Sequence, residues 1–323
     1  MTAETDSVPD ARPTRDAIED TGQNTGQNTG QNAGRNRHTR PSPETLRRAA
    51  ARGVAPPVGR IGWARLWLRA AMLVLALLFC IPFHYLLRVA SLPSPFPRWF
   101  LAMAARICGA RVKRVGVPLR RDVFYISNHV SWIDILAIGG ASGSAFVAKA
   151  ELRDAPVVGW LARINRTVFV SREDRMRVAE QINHLREALA DNWAVTVFPE
   201  GTTTDGASLL PFKSPLLKVL EPPPPGVMVQ PVLLVYDARG RDLAWIGAES
   251  GKDNAVRVLS RRGSFSVRVV FLDPFDPRDF PGRKAIAAEA RRRIMAAFEE
   301  RTGRPLDPFI GHDWWSGTIP EQD

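Results

Sequence analysis

A long apolar tract from Ala70 to Leu87 is the feature that most constrains how this chain can fold. It reads AAMLVLALLFCIPFHYLL and lies between Arg69 and Arg88. A helix over these positions would span about 27 Å, close to the hydrocarbon thickness of a bilayer. Pro82 and His84 are unusual in a simple crossing, and a core helix of a globular domain is the alternative. The tract predicts a helix that associates with a membrane.

Basic residues flank this tract on both sides. They are Arg60, Arg65 and Arg69 before it, and Arg88, Arg98, Arg106, Arg111, Lys113 and Arg114 after it. Because basic flanks stay in the cytoplasm, two of them favour a re-entrant or interface-lying anchor over a single crossing. The segment from Pro97 to Arg114 mixes arginines with apolar residues, as a surface-binding helix would. We expect membrane-associated helices over residues 61–114, on the cytoplasmic face of a bacterial inner membrane.

Both ends of the chain are expected to be tails. Thr21 to Asn36 reads TGQNTGQNTGQNAGRN, a polar repeat that cannot bury enough apolar surface to offset the entropy of ordering it. We therefore expect a disordered tail over residues 1–60 and a short C-terminal tail over 311–323. The first apolar tract begins far from Met1, so the N-terminus does not resemble a secretory signal.

The net charge of +11 and the pI near 10.5 restrict the class of partner. Nucleic acid, an anionic membrane surface and an acidic substrate would each suit a basic chain. No nucleic-acid recognition motif is present, and the apolar tract favours a membrane. The two cysteines, Cys80 and Cys108, provide neither a disulfide framework nor a zinc-binding spacing. We predict membrane lipids as partners, no nucleic acid and no metal site.

Short strands alternate with helices from Asp122 onward, which is typical of an α/β domain whose sheet is covered on both faces. Helices are expected over Glu173–Ala190, where apolar residues recur at three- and four-residue spacing, and over Arg283–Glu300. The expected fold is a central, mostly parallel sheet flanked by helices, in a domain over residues 115–310. The expected strands are Val123–Ser127, Ala145–Ala148, Thr167–Ser171, Ala194–Phe198, Val229–Tyr236 and Ser266–Leu272.

The segment from Ile126 to Leu136 reads ISNHVSWIDIL and contains candidate catalytic residues. The preceding strand is expected to end at Ser127 and a helix to begin near Ser131. Ser131 and Asp134 fit an S-x-x-D capping box, so one interpretation is purely structural. Because positions five apart do not share a face of a regular helix, His129 must precede the helix and fold back to reach Asp134.

Four blocks of this chain, in order, resemble the signatures of the lysophosphatidic acid acyltransferase family, also called the 1-acylglycerol-3-phosphate acyltransferases. The first, N-H-x-S-W-x-D, contains the H-x-x-x-x-D core, met here by His129 and Asp134. The others are TVFVSR (167–172), FPEGTTTDG (198–206) and VQPVLLVY (229–236). The resemblance implies the glycerolipid acyltransferase fold. It also implies acyl transfer from an acyl-CoA or acyl carrier protein thioester to a lysolipid hydroxyl, with no further cofactor.

Residue chemistry suits this reaction. A histidine titrates near neutral pH and can take the hydroxyl proton as a general base, while a carboxylate on its other ring nitrogen stabilises the imidazolium. The resemblance implies direct attack on the thioester, with His129 as the base and Asp134 as its partner. Substrate-binding candidates are Arg172, Glu200, Gly201, Thr202, Thr203, Lys149 and Lys213. For the three basic residues among them, the alternative is a solvated position on the surface.

The third block departs at Thr203 from the pattern of many glycerophosphate-type family members. Those members carry an arginine at this position, and an arginine suits a phosphate. Thr203 could donate one neutral hydrogen bond but supplies no charge. Together with LLPFKS (Leu209 to Ser214), the block looks closer to the branch that acylates lyso-ornithine lipid. Lyso-ornithine lipid and 1-acylglycerol-3-phosphate are therefore the expected acceptors. Two other classes stay open, a non-catalytic lipid-binding protein and a lipid hydrolase, although GASGS at 140–144 lacks the last glycine of a nucleophile elbow.

Overall fold

The computed structural model describes residues 43–170, 183, 185–187 and 194–307. Its helices are α1 (Pro43–Ala51), α2 (Arg60–Val89), α3 (Phe96–Ile107), α4 (Ile133–Ser142), α5 (Pro156–Ile164), α6 (Ala238–Arg241), α7 (Gly251–Ser260) and α8 (Gly282–Thr302). Its strands are β1 (Ala110–Val115), β2 (Val123–Ser127), β3 (Ala145–Lys149), β4 (Val168–Val170), β5 (Ala194–Val197), β6 (Met228–Tyr236) and β7 (Phe265–Phe271). Short 3-10 helices cover Ala150–Asp154, Pro215–Leu220 and Pro277–Asp279. The six predicted strands and the last predicted helix are confirmed. Most of the predicted helix at 173–190 lies outside the described residues.

The described strands form one sheet in the order β1-β7-β6-β2-β5-β3-β4, and every pair is parallel except β6 with β7. This confirms the predicted mostly parallel sheet. Side chains alternate between its faces. Val123 and Tyr125 of β2 belong to a core shared with α3, α4 and α7, whereas Phe124 and Ile126 pack in a core with α8. Helices therefore cover both faces, as expected.

The segment Pro97–Arg114, predicted as one surface-binding helix, instead divides into α3 and the edge strand β1. Gly109 lies between them with φ +94°, a conformation that suits glycine at the end of a helix. In β1, Ala110 is buried while Arg111 and Lys113 are exposed, a two-residue alternation that suits a strand. The boundary expected at residue 114 therefore falls within β1, and the sheet begins at Ala110.

The predicted disordered tail over residues 1–60 is too long at its C-terminal end, because α1 lies within it. Ala50 of α1 is only 2% exposed, and the carbonyl of Ala51 accepts the N–H of Ala248 at 2.8 Å. A nine-residue helix is marginal alone, so these tertiary contacts stabilise it, and local sequence does not reveal them. Residues 1–42 and the predicted tail 311–323 lie outside the described residues.

The apolar tract lies in α2, a 30-residue helix that continues through Pro82. Among the described helices, α2 is the one long and apolar enough to cross a membrane, judged by length and composition. Its first half is fixed to the domain, because the Arg69 guanidinium donates to the carbonyls of Val258 and Leu259 at 3.1 and 3.0 Å. Farther along, Leu78 and other apolar side chains are exposed. The helix thus joins the domain at one end and presents an apolar surface beyond it.

Candidate active site

The ends of three neighbouring parallel strands bring candidate residues together. His129 follows β2, Glu200 follows β5, and Tyr236 ends β6. The carboxyl ends of parallel strands meet at one edge of a sheet, where ligands usually bind. Asn128 fixes this edge, since its amide N–H donates to the carbonyl of Leu234 at 3.1 Å and its amide oxygen accepts the Leu234 N–H at 2.8 Å. The end of β2 is therefore tied to β6.

His129 and Asp134 form a hydrogen-bonded pair, with Nδ1 of the histidine 2.7 Å from Oδ2 of the carboxylate. Asp134 lies in the first turn of α4, and His129 precedes the helix and folds back, as the spacing requires. The same Oδ2 accepts the N–H groups of Val130 at 2.6 Å and Ser131 at 2.9 Å. One carboxylate therefore fixes the turn that precedes α4 and orients the imidazole. With Nδ1 bonded to Asp134, Nε2 is the nitrogen that can take a substrate proton.

Tyr236 contributes a third group to this pair, beyond the residues expected from the sequence. Its hydroxyl donates to Oδ1 of Asp134, and both side chains are buried. Burial, and then the negative charge of Asp134, raise the pKa of Tyr236 well above its usual value. The hydroxyl therefore stays protonated and keeps donating at neutral pH. The sequence signal is a hydroxyl-bearing residue directly after the apolar run from Val232 to Val235.

Glu200 holds the segment that carries His129. Its Oε1 accepts the N–H of His129 at 2.7 Å, its Oε2 accepts the N–H of Leu210 at 2.9 Å, and the residue is buried. Burial raises the pKa of Glu200 to about 8, although both N–H groups favour the charged form. The sequence predicts that Glu200 contacts the acceptor. The structure instead assigns both carboxyl oxygens to backbone groups, so Glu200 is a positioning residue.

A cavity of about 1440 Å³ opens beside His129. Its volume exceeds the roughly 300–1,000 Å³ usual for drug-sized ligands. The Phe198 ring stacks on the His129 ring, with centroids 4.0 Å apart and planes 15° from parallel, and it also faces the cavity. The size and the apolar walls suit hydrocarbon chains. Apolar wall residues from α2, α3 and α5 include Leu73, Leu77, Phe96, Phe100 and Leu161.

The remaining candidate residues differ in their relation to this cavity. Lys213 is exposed and is not among the described residues that line it. Arg172 lies outside the described residues. Within the described ranges, no three His, Cys, Asp or Glu side chains are placed to share a metal ion. Four candidates do line the cavity: Lys149, Gly201, Thr202 and Thr203.

Thr203 has a different contact from the one the sequence predicts. Its hydroxyl donates to the carbonyl of Trp245, so the hydroxyl proton is not available to a substrate head group. The N–H of Trp245 in turn donates to the carbonyl of Val130 at 3.0 Å, and the N–H of Thr204 donates to the carbonyl of His129 at 2.8 Å. Thr203 and Thr204 therefore attach their loop to the segment that carries the histidine.

Comparison with known proteins agrees with this geometry. The family model "Acyltransferase" matches residues 111–235. The chain is 31% identical over 276 residues to a lyso-ornithine lipid O-acyltransferase of Rhodobacter capsulatus, covering 77% of this chain and 97% of the relative. An enzyme of the same name from Brucella abortus is 34% identical, with 74% and 96% covered. A 1-acyl-sn-glycerol-3-phosphate acyltransferase of Neisseria gonorrhoeae is 33% identical, with 60% and 76% covered.

A solved structure shares the fold. The crystal structure of a 1-acyl-sn-glycerophosphate acyltransferase from Thermotoga maritima matches with a TM-score of 0.57 at 24% identity. The match covers 76% of this chain and 95% of that one. Together with more than 30% identity over nearly the whole length of two relatives, these findings identify the enzyme class. The chain belongs to the acyltransferase family that includes the lyso-ornithine lipid and 1-acylglycerol-3-phosphate O-acyltransferases.

Proposed function

We propose that this acyltransferase moves a fatty acyl group from an acyl-CoA or acyl carrier protein thioester to the free hydroxyl of lyso-ornithine lipid. The observation that carries the proposal is the His129–Asp134 pair beside a large apolar cavity. Nε2 of His129 takes the hydroxyl proton as the oxygen attacks the thioester carbonyl, and Asp134 stabilises the resulting imidazolium. The carbon–sulfur bond then breaks, and the histidine returns the proton to the departing thiolate.

The acceptor assignment rests on the relatives and on Thr203. Both of the longest matches described above are to lyso-ornithine lipid O-acyltransferases. Thr203 stands where many glycerophosphate-type members carry an arginine, and its hydroxyl is already bonded to the carbonyl of Trp245. A phosphate monoester would therefore find no cation at this position. 1-Acylglycerol-3-phosphate is the second candidate acceptor, favoured by the Neisseria gonorrhoeae relative.

A competition assay tests the acceptor. We expect the wild type to acylate lyso-ornithine lipid at least as fast as lysophosphatidic acid when both share one acyl donor. Thr203→Arg should shift the preference toward the phosphate by about tenfold, or ~1.4 kcal/mol, because it adds a charge-assisted hydrogen bond. Thr203→Val is the matched control, since it removes the hydroxyl without adding a charge, and should affect both acceptors alike. A strong wild-type preference for lysophosphatidic acid, unchanged by Thr203→Arg, would overturn the assignment.

We also propose that α2 and α3 lie in the cytoplasmic face of a bacterial inner membrane, with lipid covering their exposed apolar side chains. Phe79, Phe83 and Phe96 form an aromatic cluster between the two helices, which supports a folded-back pair of helices. With basic residues before and after the apolar tract, both flanks should stay in the cytoplasm. A cysteine introduced at Gly59 should therefore react only with a reagent that reaches the cytoplasm. Labelling from the periplasm would instead show that α2 crosses the membrane.

A further inference from the structure

An ornithine head group carries one carboxylate and one ammonium, so a site for it needs a cation and an anion close together. This head group belongs to the acceptor proposed above, and its binding site depends on that proposal. The cavity contains such a pair, formed by Arg47 of α1 and Asp205 of the loop that follows β5. Nη2 of Arg47 lies 3.3 Å from Oδ2 of Asp205, and both residues line the same cavity as His129. Their side chains are 21% and 32% exposed, which leaves both accessible to a ligand.

Asp205 is held in place through its other oxygen. Oδ1 accepts the N–H groups of Ala207 at 2.9 Å and Ser208 at 3.0 Å, and the Ser208 hydroxyl at 2.9 Å. Burial alone would raise the pKa of Asp205, but these bonds and the charge of Arg47 lower it below its usual value. The group is therefore a carboxylate at neutral pH. It directly follows Thr204, which donates to the carbonyl of His129, so it lies beside the segment of the catalytic base.

Contacts on α1 bring Arg47 to this place. The carbonyl of Ala51 accepts the N–H of Ala248, and Gly247 lies against the same carbonyl. A Cβ on Gly247 would be 2.3 Å from that oxygen, and its φ of +75° also favours glycine, so the chain accommodates α1 closely here. Nε of Arg47 is buried and has no hydrogen-bond partner among the described residues.

We propose that Arg47 and Asp205 bind the zwitterionic head group of the acceptor, Arg47 through its carboxylate and Asp205 through its ammonium. The contact between the two side chains opens to admit the head group. Arg47 then pairs with the carboxylate of the ligand instead of Asp205, and Asp205 pairs with the ammonium of the ligand instead of Arg47. A phosphate monoester fits this pair poorly, because it carries nearly two negative charges and Asp205 repels them. The pair therefore selects lyso-ornithine lipid over lysophosphatidic acid. It also makes α1 part of the acceptor site.

The test removes single charges from the protein and from the acceptor. Four acceptors are compared with one acyl donor: lyso-ornithine lipid, its derivative acetylated on the side-chain amine, its carboxyl methyl ester, and lysophosphatidic acid. For the wild type, kcat/KM should fall about tenfold for each modified ornithine acceptor, a change of ~1.4 kcal/mol. Asp205→Asn should lose about tenfold with lyso-ornithine lipid but little with the acetylated derivative, whose ammonium is already absent. Arg47→Gln should likewise lose about tenfold with lyso-ornithine lipid but little with the methyl ester, whose carboxylate is already absent.

Asp276→Asn is the matched control, because it removes the carboxylate from another Arg–Asp pair, 2.5 Å from Arg278, and should leave all four acceptors unchanged. Equal losses with every acceptor in Asp205→Asn and Arg47→Gln would overturn the proposal while leaving the acceptor assignment intact. Rejection of lyso-ornithine lipid by the wild type would instead overturn the proposed function and this inference with it. If Asp205→Asn does not fold, wild-type turnover of the acetylated derivative at the parent rate would still refute the role of Asp205.

Discussion

His129→Ala should lower kcat by about 10²–10⁴-fold, because it removes the proposed general base for the acceptor hydroxyl. The variant should stay folded. The His129 side chain is 19% exposed and precedes α4, and its backbone contacts with Glu200 and Thr204 do not involve the ring. Loss of the stacking contact with Phe198 should cost about 0.5–1.5 kcal/mol of stability, which a folded domain can sustain.

The measurement is steady-state acyl transfer by purified protein, with thermal unfolding recorded on the same samples. His84→Ala is the matched control, since His84 also lines the cavity but bonds to the hydroxyl of Ser94 rather than to a carboxylate. We expect it to keep turnover within a few-fold of the wild type, a change of about 1 kcal/mol or less in activation free energy. A folded His129→Ala variant with near wild-type turnover would contradict the assignment of the base.

Asp134→Asn should lower kcat by a similar factor, roughly 10²–10⁴, because a neutral amide cannot stabilise the imidazolium as a carboxylate does. Its fold should survive for a structural reason. The amide oxygen can occupy the position of Oδ2 and keep accepting from Val130 and Ser131, while the amide nitrogen donates to the hydroxyl oxygen of Tyr236. Asparagine therefore preserves the contacts with the turn before α4 and removes the charge.

Asp134→Ala separates the two roles of the carboxylate. It leaves the N–H groups of Val130 and Ser131 without their acceptor and should cost about 1–3 kcal/mol of stability, in addition to activity. Urea unfolding and turnover should be measured for both variants. Full activity in Asp134→Asn would mean that the carboxylate serves only to hold the turn before α4, which is a purely structural role.

Local pattern was sufficient to predict the centre of the fold. β2 is a short apolar strand with a sharp end, and the H-x-x-x-x-D spacing requires the histidine to fold back, so both follow from neighbouring residues. α1 and β1 were missed because distant contacts stabilise them. Ala248 bonds to α1, and β7 pairs with β1 along its whole length. Neither partner can be identified from the residues beside the element.

The supporting groups of the site were harder to predict for the same reason. Glu200 and Thr203 belong to a recognisable block, but their partners are backbone groups of His129 and Trp245, which only the folded chain brings near. Tyr236 ends β6 and reaches Asp134 in α4, the helix that follows the neighbouring strand β2. Arg47 and Asp205 are still farther apart in the sequence, and a helix expected to be disordered carries one of them. The residue types indicate the chemistry of the site, whereas the fold determines which groups these side chains contact.

Counting both products of one reaction tests the proposed acyl transfer to a lysolipid most directly. Purified protein is incubated with a thioester donor, with and without lyso-ornithine lipid, and the released thiol and the new ester are quantified by mass spectrometry. We expect one ester for each thiol released, no appreciable thiol without the acceptor, and loss of both products in His129→Ala. Free fatty acid in place of the ester would show a hydrolase. Binding of the lipid without any thiol release would show a non-catalytic lipid-binding protein.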